Sequence, residues 1–164
     1  MLCYSLSLSH HEVLAGQIMH RLRLTWLGNE GHNIAQTAGT FRILLFITVI
    51  YVLINQTLEY LPLAFLDANG DPTTMYMELV MARIILNIIF FILTVALVTK
   101  VRRRMRSKYS IPETTCKGSE DCCCAFWCTC LTLSQMARHT ADYESYAALC
   151  CSETGMPPHA PSIV

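Results

Sequence analysis

Charge is what this chain has least of. Only 15% of its 164 residues are Asp, Glu, Lys or Arg, against about a quarter in average soluble proteins. Twelve basic and twelve acidic residues cancel to a net charge of zero. A neutral chain that is 53% hydrophobic excludes intrinsic disorder and nucleic-acid binding through a bulk positive field. Enzyme signatures are missing as well: no phosphate-cradling glycine loop, no H-E-x-x-H and no G-x-S-x-G. A Cys–His pair such as Cys130 and His139 lacks an orienting third group. No catalytic activity is expected. Met1–Leu8 has no basic residue, so it does not read as a secretory signal.

What is there is apolar and unevenly placed. Leu79–Thr99 (LVMARIILNIIFFILTVALVT) matches the roughly 20 residues needed to cross a bilayer core, with Arg83 and Asn87 as its polar interruptions. Six basic residues follow within Lys100–Lys108, a flank that belongs on the cytosolic side. An earlier run, Ile43–Ile54, covers about 18 Å at helical rise. Extending it to Leu66 brings in Asn55, Gln56, Thr57, Glu59 and Pro62. A carboxylate at the bilayer centre costs about 2.5–3.5 kcal/mol, so Glu59 is expected off centre. Between the runs lies Asp67–Thr74 (DANGDPTT), dense in turn residues. That arrangement is a hairpin in which Glu59 and Arg83 reach similar depth, either paired or snorkelling separately. Asn55-Gln56-Thr57 is formally a glycosylation sequon, but inside a span it is unreachable.

The stretch Asn55–Glu78 has no Lys or Arg, while both flanks of the hairpin are basic. Both termini are therefore expected in the cytosol, with the plasma membrane preferred over internal membranes. The expected fold is an all-α membrane protein, a two-span hairpin with an N-terminal amphipathic helix and a C-terminal cysteine-rich helical segment. Four regions follow: 1–39, cytosolic; 40–101, the hairpin, with spans about 41–65 and 79–100; 102–152, basic flank and cysteine segment; and 153–164, a disordered tail with three prolines and a glycine. His11–Leu27 reads as the amphipathic helix, with Leu14, Ile18 and Leu22 on one face. It suits either the cytosolic leaflet or packing on the cytosolic part of the chain. Pro112 should keep a helix from running on out of the basic block.

Eight of nine cysteines fall in the last third: Cys116, Cys122, Cys123, Cys124, Cys128, Cys130, Cys150 and Cys151. A cytosolic setting keeps them reduced. On a continuous helix, Cys124 and Cys128 would stand one turn apart, and Cys123 and Cys130 two turns apart. No paired C-x-x-C arms of the zinc-finger kind occur. Three uses stay open: small apolar side chains packing against the hairpin, S-acylation near a membrane beside Phe126 and Trp127, or coordination of zinc or another soft divalent metal by Cys122, Cys123, Cys124, Cys128 and Cys130. His139 is a further candidate ligand.

Residues 106–143 resemble the placenta-specific-eight cysteine-rich family, which includes plant cadmium-resistance proteins and cell-number regulators. The likeness rests on Arg106-Ser-Lys-Tyr109, Ile111-Pro112, Asp121-Cys122, Cys128-Thr-Cys130 in place of Cys-Pro-Cys, and Gln135-Met-Ala-Arg138 in place of Gln-x-x-Arg. Gly16-Gln17 is similar to the dipeptide after the family's first cysteine motif, where this chain holds His10, His11 and Glu12. Those substitutions lead us to expect a shortened start. The resemblance implies a small membrane protein, often a homo-oligomer, linked to divalent-metal tolerance or export, calcium influx or control of cell number. The alternative is a membrane-anchored adaptor without transport, with a protein partner at the C-terminal tail.

Overall fold

The computed structural model describes residues 2–31, 37, 39–66, 73–112, 118–149 and 152–161, with backbone alone for 2–10. Among them are five helices and no strand: α1 (Leu2–Arg21), α2 (Thr40–Tyr60), α3 (Thr74–Tyr109), α4 (Glu120–Trp127) and α5 (Thr129–Thr140). A 3-10 turn, Leu61–Phe65, extends α2 with Pro62 at its start, where a missing N–H costs nothing. Most of the expected turn (67–72), together with Cys116, Cys150 and Cys151, lies outside the described residues.

Each helix end has a local cause. Thr73 caps α3, its hydroxyl accepting from the Tyr76 N–H at 3.4 Å. At the far end Ser110 turns left-handed (φ 54°) and the Ile111 N–H reaches back to the Arg106 carbonyl at 3.0 Å, with Pro112 next. α3 therefore runs well past the apolar segment, through the whole basic flank. α1 ends in the same way. Arg23 takes φ 54°, its N–H bonds the His20 carbonyl and the Leu24 N–H bonds that of Met19. Met19 and Leu24 are both buried, the apolar contact that accompanies this cap. That cap corrects the expected helix over His11–Leu27: it stops at Arg21, and Trp26 and Leu27 stand exposed.

α2 and α3 pack antiparallel, since Tyr51 meets Asn87 and Phe90 while Glu59 meets Arg83. Both are long and apolar enough to cross a membrane, over Thr40–Phe65 and Thr74–Tyr109. Only 28% and 22% of their most apolar windows are buried by protein, so neither resembles the core helix of a soluble domain. Phe46, Leu53, Ile88, Ile92 and Leu93 are among the large apolar side chains left exposed. Apolar surface this extensive needs a cover other than water.

The core sits at the basic end of the pair. Ala15, Ile18 and Met19 of α1, and Leu22 just past its end, meet Leu44 of α2 and Val98, Val101 and Met105 of α3 there, with Ala125, Leu133, Met136 and Ala137 of α4 and α5 closing the cluster. Gly16 lets α1 approach α2, because a Cβ there would stand 3.3 Å from the Phe41 ring. Ile18 and Leu22, expected on an amphipathic face, do point inward, and what they meet is this core. The C-terminal segment is a second departure. Read from its prolines as disordered over 153–164, it instead turns back onto α1 over the described part, 153–161, and 162–164 lie outside the described residues. Gln17 donates to the carbonyls of Leu149 (3.1 Å) and Ser152 (3.0 Å), Arg21 donates to that of Thr154 (2.6 Å), and Met156 is buried. Prolines limit helix and strand, but they leave carbonyls that side chains from elsewhere can bind.

One carboxyl beside this core, that of Glu12, has no ion pair among the described residues. Glu12 is 5% exposed and bonds the Thr94 hydroxyl, and burial pushes its pKa up while that hydrogen bond pulls it down by less. A raised carboxyl stabilises the fold fully below its unfolded pKa, and that contribution is lost as pH rises through the folded value. Glu12→Gln should therefore raise the unfolding midpoint of detergent-solubilised protein at alkaline pH. The gap to wild type should close on acidification, as thermal melts across the pH range will report. A pH-independent gap would contradict the assignment.

Candidate functional site

Two polar assemblies stand out from the apolar background, one between the long helices and one at their basic end. The first begins with Tyr51, Asn55 and Glu59, which recur every fourth residue and so share a face of α2. Arg83 and Asn87 do the same on α3. The Tyr51 hydroxyl donates to Asn87 Oδ1 at 2.6 Å, and Asn87 Nδ2 donates to Asn55 Oδ1 at 3.2 Å and to the Arg83 carbonyl at 2.9 Å. Arg83 Nε reaches the same Asn55 oxygen at 3.4 Å, and its Nη2 stands 3.1 Å from Glu59 Oε2. Tyr51 also stacks on Phe90, ring centroids 3.7 Å apart. Asn55 is 2% exposed, at the centre of this ladder. Glu59, Arg83 and Asn87 are thus brought together, and each satisfies another. Such a ladder fixes the register of two helices that otherwise present only smooth apolar surfaces.

The second assembly holds the cysteine segment. Asp121, 3% exposed, enters the basic flank of α3: Arg102 Nε lies 2.8 Å and Arg106 Nη1 3.0 Å from its Oδ1. Glu120 adds contacts of 3.6 Å to Arg102 and 3.5 Å to Arg106. Arg102 and Arg106 are one turn apart, so a single face of α3 offers both guanidiniums to the first turn of α4. Carboxylates at that end also suit the helix dipole. The residues that read as a stop-transfer flank are therefore also the clamp on the cysteine helix. The spacing of Arg102 and Arg106, with two acids shortly downstream, was the available signal.

From that clamp α4 runs back along α3 until the Phe126 ring meets Phe91, centroids 5.5 Å apart. The helix breaks at Cys128 (φ −131°, ψ 40°), and α5 returns. The break means that the segment is not one continuous helix, so the two-turn spacing of Cys123 and Cys130 does not apply, while the Cys128 N–H still closes the last turn of α4 on the Cys124 carbonyl at 3.0 Å. Cys122, Cys123, Cys128 and Cys130 are exposed and Cys124 half-buried, all as free thiols. Among the described residues no three of His, Cys, Asp and Glu converge as metal ligands. Gln135 and His139 are exposed and border a cavity of about 220 Å³ with Arg102, Arg106 and Glu120. Arg138 is exposed nearby on α5, whereas Gln17 is buried on α1 and serves the C-terminal segment. Thr94 and Tyr51 escaped the sequence reading, as did the partners of Glu12 and Arg21, because a single polar residue does not name its partner. Arg21 bonds the hydroxyls of Thr140 (3.1 Å) and Tyr143 (2.6 Å).

The chain belongs to the PLAC8 family, whose model matches residues 2–139. That span takes in both polar assemblies and all five helices except the last residue of α5. No curated protein and no solved structure matches the chain.

The clamp can be tested directly. Removing one partner of a buried ion pair costs about 3–5 kcal/mol, because the charge left behind has lost its compensation. Asp121→Asn should destabilise the detergent-solubilised protein by that order in equilibrium unfolding. It should also speed the reaction of the α4 thiols with a maleimide. An unchanged midpoint and unchanged labelling would refute the role of Asp121.

Proposed function

We propose that this member of the PLAC8 family is a two-span integral membrane protein, both termini cytosolic, at the plasma membrane. There it handles or transports soft or borderline divalent metal ions, zinc or a similar cation, as a homo-oligomer. Lipid is the cover that the exposed faces of α2 and α3 require. The six basic residues of Lys100–Lys108 favour the cytosol for that end of the pair. The reading assigns no catalytic step to the chain.

The observation that carries the metal reading is the set of free thiols at the basic end, four exposed and one half-buried. Thiolate is a strong ligand for zinc, and tetrahedral sites take four ligands with Zn–S distances of about 2.3 Å. In this reading thiols of neighbouring copies complete the site. Two helices cannot enclose a path, which asks for the same self-association. The ladder of Tyr51, Asn55, Glu59, Arg83 and Asn87 supports the hairpin rather than lining a conduit, since its groups engage one another. Metal capture would release thiol protons and so weaken as pH falls.

A second reading has its own support: Phe126 and Trp127, 48% and 79% exposed, flank the thiols as an acylated membrane anchor would require. In that case the protein is an adaptor with no transport, and the C-terminal segment meets a protein partner. The deciding measurement is the metal content of detergent-purified oligomer, wild type against the variant with Cys122, Cys123, Cys124, Cys128 and Cys130 all changed to Ser. Bound zinc in the first and its loss in the second, at unchanged oligomer size, is the expected result. Equal metal in both, with a hydroxylamine-sensitive mass shift in wild type alone, selects the adaptor.

A further inference from the structure

We propose that the corner between α4 and α5 is re-entrant, with Phe126, Trp127 and Leu131 lying among the acyl chains of the cytosolic leaflet. The proposal rests on the membrane reading above and deepens it. Depth is set by Phe91. It lies eight residues inside Thr99, the last residue of the apolar run, which is about 12 Å at helical rise. The Phe126 ring touches it edge-on. A segment leaving the basic flank at Asp121 therefore goes back toward the apolar part of α3, not away from it. Phe126 in turn packs edge-on against Trp127, ring centroids 5.2 Å apart.

Composition and exposure agree with that placement. No charged residue occurs between Asp121 and Arg138, an interval that includes all of α4 beyond its first two residues and most of α5. Trp127 is 79% and Leu131 63% exposed, and the exposed Ile88 on α3 lies one turn from Phe91. The apolar ridge of the corner is thus continuous with the apolar surface of α3, and one occupant, lipid, covers both. Hydrocarbon tolerates a break in a helix only where the freed backbone groups find partners inside the protein. At this break several of them do. The Cys128 N–H bonds the Cys124 carbonyl at 3.0 Å, the Thr132 N–H bonds that of Cys128 at 2.9 Å, the Thr129 hydroxyl bonds that of Ala125, and the Thr132 hydroxyl bonds that of Cys124 at 3.2 Å. The exposed thiols of Cys122 and Cys123, next to the Asp121 clamp, then lie nearest the boundary between cytosol and hydrocarbon, and those of Cys128 and Cys130 go with the corner.

Trp26 and Trp127 are the two tryptophans, so Trp26→Phe leaves Trp127 as the sole reporter. The full chain is reconstituted in phosphatidylcholine vesicles with plain or dibrominated acyl chains, and emission is also titrated with acrylamide. A second protein, Trp26→Phe/Trp127→Phe carrying Phe46→Trp, reports on the exposed face of α2. The expected result is that Trp127 loses most of its emission in the brominated vesicles and is several-fold less accessible to acrylamide than in the unfolded chain. An unquenched Trp127 overturns the proposal, whether acrylamide reaches it, as for a corner in water, or does not, as for one covered by another copy. The Phe46→Trp reporter then separates the two failures: quenched there, the two-span reading stands without the corner, and unquenched there, both fall.

Discussion

The arrangement of the C-terminal half depends on one buried carboxylate. Asp121 stands within hydrogen-bond reach of two guanidiniums of α3 while nearly closed to solvent. A charge so placed tolerates little displacement, because the penalty for separating it from its partners in a low-dielectric setting exceeds what packing alone can offset. It therefore sets where α4 starts and, through the rigid helix, where Phe126, the break at Cys128 and all five thiols end up. Ala125, Leu133, Met136 and Ala137 then bury what α4 and α5 turn inward. The ion pair gives direction, and burial of apolar surface supplies most of the stability.

A second constraint governs the long helices. Apolar side chains on smooth helices discriminate poorly between registers, and in hydrocarbon they provide no hydrophobic drive at all. Hydrogen bonds with fixed geometry do discriminate. The ladder centred on Asn55 has one register in which Tyr51, Asn87, Arg83 and Glu59 all find partners, and sliding α2 by a turn would orphan several of them. Gly16, Gln17 and Asp121 act at the basic end instead, where α1 approaches α2, the C-terminal segment docks on α1, and α4 meets α3.

Legibility differed from element to element. The apolar run Leu79–Thr99 and its basic flank identify α3 by length and charge alone, and Ile43–Leu66 identifies α2 with its 3-10 extension. Asn55, Glu59, Arg83 and Asn87 could be singled out as polar residues in apolar runs. Their mutual geometry follows once two helices are placed side by side in the right phase. The cysteines were visible as a cluster, but the break at Cys128 was not. Cys-Thr-Cys carries no proline or glycine to mark it, and the break is stabilised by the hydroxyls of Thr129 and Thr132.

Helical periodicity, the length of apolar runs and the asymmetry of charge are local properties, and with them the amino-acid order determined that this is an all-helical chain with two segments long enough to cross a membrane. Three things were decided by tertiary structure alone: the docking of residues 152–161 on α1, the meeting of Glu12 with Thr94, and the use of the basic flank as a clamp for Asp121. Each joins residues far apart along the chain, and a polar side chain's partner is set by which helix faces come together, a fact no local window of sequence contains.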